Sequence, residues 1–431
     1  MASKPQTASH IERVARTAYG RLVAILARET GDIATAEDVL ADAFSKAMTS
    51  WAEQGPPKNP EGWLLTVARN RNRDRLRSSH HRTAMAGDTL DEMERRADAA
   101  IATTMALLDT HDFPDERLRL MFVCAHPAID ERMHTALMLQ TVLGLDAKTI
   151  ATAFAVPSAT MAQRLVRTKS KIKQACIPFT LPDGNIFEDR IDSVLEAIYG
   201  AFAADWQREV QDPDQAPEQG HPDLAEEALF LIDLLVSLVP DHAETRGLAA
   251  LLWFSHSRAH ARTDADGCLV PLEDQPTREW DHLAIERARA HLQKASTLSR
   301  LGRYQLEAAI QSVHAERAES GEINWTAIVQ RYEGLMHIAP TLGAAVARAA
   351  AVGHAYGTTA GLNALAQVDE RDLKAFQPAW AVRAHLLAQS GQTQSACVAY
   401  RRALDLTTHL AQRRFLERRL HELLALSAKS T

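Results

Sequence analysis

Apolar residues in this chain return at steps of three and four rather than two, a spacing that lines them along one side of a helix and gives a strand no face to bury. Alanine, leucine and arginine dominate almost everywhere, so the expected fold is all-α. The stretch from Thr35 to Trp51 is the clearest case: Ala36, Val39, Leu40, Ala43, Phe44, Ala47, Met48 and Trp51 form one continuous apolar stripe. Thr35 and Asp38 have the spacing of a capping box. Glu37, Asp38, Asp42 and Lys46 occupy the opposite face, which is either plain solvated surface or a surface that meets a basic partner.

At 431 residues the chain exceeds the usual size of one core, and two or three domains are expected. Arg82 to Pro114, acidic in its middle at Asp88, Asp91, Glu92 and Glu94, reads as a tether between small domains. Ile177 to Asn185, with Pro178, Pro182 and Gly184, marks a second boundary, and Trp206 to Pro222 reads as a loop in the C-terminal half. The net charge of -7 conceals an asymmetry, since residues 1–180 hold 24 basic against 21 acidic side chains and the remainder 24 against 34. This split points to a nucleic-acid-facing N-terminal half.

Cys124, Cys176, Cys268 and Cys397 are isolated, which suits neither a disulfide framework nor a metal knuckle and makes a reduced cytoplasm the expected compartment. The N-terminus lacks the apolar run of a signal peptide, and the apolar runs Ala228 to Pro240 and Gly247 to Phe254 are too short for a span, so no membrane is expected. His256 and His260 have an i, i+4 spacing that can ligate a metal, but no His-Glu-x-x-His is present. Asp264, Asp266, Gly267, Glu273 and Asp274 fail the EF-hand spacing. With neither a Gly-rich phosphate loop nor a nucleophile elbow, the reading is of a non-enzyme with no catalytic residue, metal or cofactor.

Two basic segments carry the functional signal. After the stiff loop Gly55 to Pro60, residues 63–77 combine a buried side (Trp63, Leu64, Val67, Ala68, Leu76) with Arg69, Asn70, Arg71, Asn72, Arg73, Arg75 and Arg77. With Arg82 these make six positive charges offset only by Asp74, a density that calls for an anionic partner such as a phosphate backbone. Residues 145–172 read as a helix-turn-helix. A first helix over about Lys148 to Phe154 is broken at Val156-Pro157, and a second begins near Ser158, with Ser158 or Thr160 as its cap. Met161, Leu165, Thr168 and Ile172 form its inner face, while Gln163, Arg164, Arg167, Lys169, Lys171 and Lys173 take the other positions, and no carboxylate lies between Pro157 and Lys173. Gln and Arg are side chains that pair with base edges in a major groove.

In order along the chain, Ala36-Glu-Asp-Val-Leu-Ala-Asp-Ala-Phe44, Trp63-Leu-Leu-Thr-Val-Ala-Arg-Asn70 with Asp74-Arg-Leu-Arg77, and the helix-turn-helix from Leu145 to Lys171 resemble the extracytoplasmic-function sigma factors of bacterial RNA polymerase. Cys124-Ala-His-Pro-Ala128, Ile177-Pro-Phe-Thr-Leu-Pro182, Asp266 to Gln275 and Gly302 to Ile310 look like the subgroup with a fused C-terminal helical extension, although Asp205-Trp-Gln-Arg-Glu stands where an Asn-Glu-Gly type sequence is expected. The resemblance implies a region-2 domain over 10–82, a flexible linker over 83–113, a region-4 domain over 114–177 and an extension over 187–431. It also implies the site residues. Glu37, Asp38, Leu40, Asp42 and Phe44 would dock on the β′ coiled coil of core polymerase, with region 4 reaching the β flap. Asn59, Trp63, Arg69, Asn70, Arg71, Arg73 and Arg75 would read and melt the −10 element. Ser158, Thr160, Gln163, Arg164, Arg167 and Lys171 would enter the major groove of the −35 element.

In the extension, residues 378–424 resemble a tetratricopeptide helix pair, with Trp380, Ala384, Gly391, Ala396, Tyr400 and Ala403 at that repeat's small and large positions and Thr408 where proline is usual. Stacked pairs of this kind make a concave surface for a peptide or protein ligand. Two other readings use the same residues: a helix-turn-helix regulator with a helical sensor domain that binds promoter DNA without polymerase, and a tetratricopeptide scaffold whose basic N-terminus is incidental.

Overall fold

The computed structural model describes residues 4–80, 116–154, 156–180, 185–208, 224–298 and 300–429. The fold is all-α; among the described residues the β content is an isolated bridge between Thr263 and Leu269. The tether read over 83–113 lies outside the described residues, as does most of the loop read from Trp206 to Pro222.

The chain divides into two compact units, one of Met1–Ala201 with Pro217–Leu231 and one of Phe202–Ala216 with Ile232–Thr431. The first unit begins with α1 (Lys4–Thr30), α2 (Ile33–Gln54) and α3 (Pro60–His80), which pack on one another. It continues with α4 (Glu116–Cys124), α5 (Glu131–Thr141), α6 (Ala147–Ala153) and α7 (Ser158–Gln174). The α1 helix supplies Leu22, Val23, Ile25 and Leu26 to the core and touches α4 and α5 as well as α2 and α3, so the two segments read as separate small domains share an interior.

Helix starts differ from the sequence expectation at two caps. Asp32, not Thr35, caps α2: its carboxylate accepts the Ala34 amide at 3.1 Å and the Thr35 hydroxyl at 2.6 Å. Asp and Thr are both good caps, and the earlier residue wins because the helix extends one turn further back than the apolar stripe. At α7 neither Ser158 nor Thr160 caps; Pro157 occupies that position with extended backbone and no side-chain bond. Its fixed φ starts the helix directly.

The boundary expected at residue 187 also moves. In α8 (Asn185–Arg208), Phe187 stacks on Phe122 at 4.5 Å, Arg190 donates to the Phe122 carbonyl at 3.2 Å, and Ser193 bonds His134 at 3.3 Å. With Ile191, Val194, Leu195 and Ile198 buried, α8 as far as Ala201 completes the first unit.

The second unit takes up α9 (Leu224–Leu238) from Ile232 onward and continues through α10 (Ala243–His256), α11 (His282–Ser296), α12 (Arg303–Ala315), α13 (Trp325–Ile338), α14 (Leu342–Tyr356), α15 (Thr358–Ala366), α16 (Gln377–Gln389), α17 (Thr393–Asp405) and α18 (Leu410–Lys429). From α12 each long helix packs mainly on a near neighbour in sequence. Small residues permit this: Ala384, Ala396, Ala399 and Ala403 are buried where α16 meets α17, and Gly391 turns the chain between them at φ +76°. A strap, residues 262–280, separates α10 from α11.

The close approach of α1 to the end of α5 rests on Gly20, where an added Cβ would overlap the carbonyl oxygen of Val142. Because that obstacle is backbone, Gly20→Ala is expected to lower the unfolding free energy by about 3 kcal/mol. A urea titration followed by circular dichroism checks this; a variant as stable as the parent would mean that the helices do not meet there.

Candidate nucleic-acid interface

The helix pair α6–α7 forms as the sequence predicts, with Met161, Leu165, Thr168 and Ile172 buried beneath α7. Ser158, Gln163, Arg164, Arg167 and Lys171 are exposed and Thr160 is half-buried, so the residues assigned to major-groove contact share the outer side of one helix. Lys169 and Lys173 do not join them. The Lys169 ammonium donates to both carboxylate oxygens of Glu37 at 2.7 Å, and Lys173 reaches Asp32 at 2.7 Å, so α7 is clipped along one edge to the start of α2.

The first of these pairs is mostly buried, with side-chain exposures of 10% for Lys169 and 21% for Glu37. Its surroundings are apolar enough to hold neighbouring acids in their neutral form. Burial pushes the Cys124 thiol up to about 12, and burial reinforced by the Glu37 charge raises the Tyr19 phenol. At the second pair, burial works to raise the Asp32 carboxyl, but hydrogen bonds from Lys173, Thr35 and the Ala34 amide outweigh it and hold the group below the usual carboxylate range.

On α3 the arginine density is balanced by tertiary contacts that a reading along one helix cannot see. Arg69 bonds Glu29 of α1 at 2.5 Å, Arg71 lies 3.4 Å from Asp42, and Arg75 lies 3.3 Å from Asp38. Arg73 donates to Asn70 at 2.9 Å. The expectation that these charges require an external anion is thus corrected: acids on α1 and α2 already face three of them. Asn59 accepts the Gly62 amide at 3.0 Å at the start of α3, and Trp63 sits edge-on to the buried Trp51 at 5.4 Å. Both have structural duties beside any contact with a base.

The docking face assigned to α2 divides in the same way. Asp38 and Asp42 are exposed and Phe44 is half-buried. Leu40 is a correction, because it is fully buried in the core and presents nothing to a partner. Met48 is the reverse case, an intended core residue that is 62% exposed.

Two measurements check this electrostatic frame. Lys169→Met strands a largely buried Glu37 carboxylate and is expected to cost about 3 kcal/mol, whereas Lys169→Met with Glu37→Leu recovers most of it; a single variant as stable as the parent in urea would contradict the pairing. Because Asp32 titrates lower folded than unfolded, the stability it confers is present above its unfolded pKa of about 4 and disappears as pH falls through the folded value. Thermal melting from pH 6 to pH 3 should fall less steeply in Lys173→Ala than in the parent.

Residues 14–82, spanning most of α1 to α3, match the family model Sigma-70 region 2, and residues 190–296 match a family of unknown function, DUF6596. Over 173 residues the chain is 27% identical to the probable RNA polymerase sigma factor RfaY of Xanthomonas campestris pv. campestris, covering 38% of this chain and 42% of that protein. No solved structure matches the chain. No helix among the described residues is long and apolar enough to cross a membrane. The region-2 match and the distant sigma-factor relative support a sigma-factor role. Over 392 residues the chain is 35% identical to an uncharacterized protein of Rhizobium meliloti (strain 1021), with 90% of each covered, and it belongs to the same family as that protein.

Proposed function

We propose that this chain is an alternative sigma factor of the extracytoplasmic-function type, acting in the cytoplasm, with a fused C-terminal helical, tetratricopeptide-like domain that regulates it. What carries the reading is the pairing of a region-2 match over α1 to α3 with a second helix pair whose outer face offers Gln163, Arg164, Arg167 and Lys171. In this reading Asp38, Asp42 and Phe44 meet the β′ coiled coil, and region 4 reaches the β flap. The α3 arginines, with Asn59, Trp63 and Asn70, engage the −10 element, and the outer face of α7 engages the −35 element.

The surface ion pairs make the first step inexpensive. Arg71–Asp42 and Arg75–Asp38 are more than half exposed at nearly every end, and such pairs contribute little in water. Each can therefore be exchanged: the carboxylates toward basic side chains of the polymerase, the guanidinium groups toward phosphates. Docking and DNA capture then support one another, since either event releases the partner needed for the other.

Run-off transcription from the promoter of the chain's own operon tests the reading. Core polymerase with the chain should yield a defined transcript, and neither component alone should do so. A helix-turn-helix regulator would instead bind the promoter tightly without polymerase. Asp38→Lys with Asp42→Lys should abolish core association, and Arg164→Ala or Arg167→Ala should each weaken upstream-element recognition by about 5- to 150-fold, the worth of a major-groove base contact of about 1–3 kcal/mol. Charge reversal that leaves core binding intact would overturn the assignment.

A further inference from the structure

In the second unit three side chains from distant parts of the sequence come together. Glu273 lies on the strap, His354 on α14 and His385 on α16, and their ligating atoms all fall within 4.8 Å of one another. The Glu273 Oε2 atom is 3.4 Å from His354 Nε2. Two donors on a tetrahedral ion with bonds of about 2.0–2.1 Å stand about 3.3–3.4 Å apart, so this pair already has the required separation.

His385 supplies the second observation. Among the described residues its Nε2 is buried and has no hydrogen-bond partner, a condition that ordinarily costs about 1–3 kcal/mol and is relieved by a ligand. Each of the other two groups is fixed from behind. The His354 ring stacks on Trp325 at 4.1 Å with the planes 9° apart, and His314 meets that indole edge-on at 5.6 Å. Glu273 is anchored through its own backbone, because the Arg317 guanidinium donates to the carbonyl oxygens of Glu273 and Gln275.

Beside the cluster opens a cavity of about 340 Å³, lined in part by Leu272, Trp325, Ile328, Tyr332 and Val346, with Glu273 and His354 at its wall. A mixed imidazole and carboxylate donor set selects first-row divalent ions, and three protein ligands beside an open cavity leave room for a fourth that is not protein. We propose that Glu273, His354 and His385 bind a divalent transition-metal ion, zinc being the closest fit, with its remaining coordination position facing this cavity. The i, i+4 pair His256 and His260, which has the more familiar spacing in sequence, is no part of this group.

The test uses the full chain, stripped with a chelator and titrated with Co²⁺ and then Zn²⁺. One equivalent of Co²⁺ should give the visible absorption of a low-coordinate site, and Zn²⁺ should displace it. His354→Phe, which keeps the stack on Trp325, and His385→Leu, which keeps the burial, should each weaken Zn²⁺ binding by about 100-fold or more. His256→Ala with His260→Ala should leave it unchanged. Absence of stoichiometric binding by the parent, or parent-like binding by the His354 and His385 variants, would overturn the proposal, leaving an ordinary Glu273–His354 contact. Should either variant lose its helical circular dichroism, Glu273→Gln on the partly exposed strap decides instead: weakened binding upholds the site and unchanged binding removes it.

Discussion

Carboxylates on α1 and α2 hold two cationic helices, and the arrangement of the first unit follows from that constraint. Glu29, Asp38 and Asp42 face α3, while Asp32 and Glu37 face α7. Without those acids the arginines of α3 would repel along one side of the helix, and Lys169 would be a buried cation with no counter-charge. One helix, α2, thus organises both positive surfaces. Its own apolar side, from Ile33 to Trp51, keeps it seated while its polar side does so.

The two sets of pairs differ in what it takes to part them. Two of the contacts to α3, Arg71–Asp42 and Arg75–Asp38, are largely solvated, and water compensates each charge that they release, whereas Arg69–Glu29 is more covered. The Lys169–Glu37 contact is not solvated, and its separation exposes both ions only if α7 itself leaves α2. Contacts of an external polymer with Arg71 and Arg75 therefore ask for side-chain rearrangement alone. Contacts that need the edge of α7 now facing α2 ask for a movement of whole helices. The outer face of α7, with Arg164 and Arg167, is subject to neither demand.

Much of this was legible in the sequence. Three- and four-residue spacing gave the helices, and Pro157 placed the turn before α7 correctly because a proline leaves the backbone few alternatives. Leu40 exposes the limit of a motif carried by resemblance: a position can match a pattern and still be core. The charge balance on α3 escaped the sequence for a different reason, since the balancing carboxylates lie on other helices, 29 to 40 positions away in chain order, as the pairs Arg71 with Asp42 and Arg69 with Glu29 illustrate. The boundary near 187 failed likewise. Prolines announce a break in the helix, but only packing reveals that Phe187 returns to Phe122.

The strap shows the same principle from the opposite direction. Its acids read as ordinary loop residues, and most are spent on shaping it: Asp264 accepts the amides of Asp266 and Cys268 and the Arg418 guanidinium, and Asp274 lies 3.6 Å from Arg419. Further bonds, from Leu269 to the Ala411 carbonyl and from Arg414 to the Asp266 carbonyl, tie the strap to α18. Glu273 differs because its backbone carries the anchoring bonds, which leaves its carboxylate directed at His354. A carboxylate held in this manner loses little freedom when it takes a ligand, so the affinity of such a site is set by its donors rather than by the cost of assembling them.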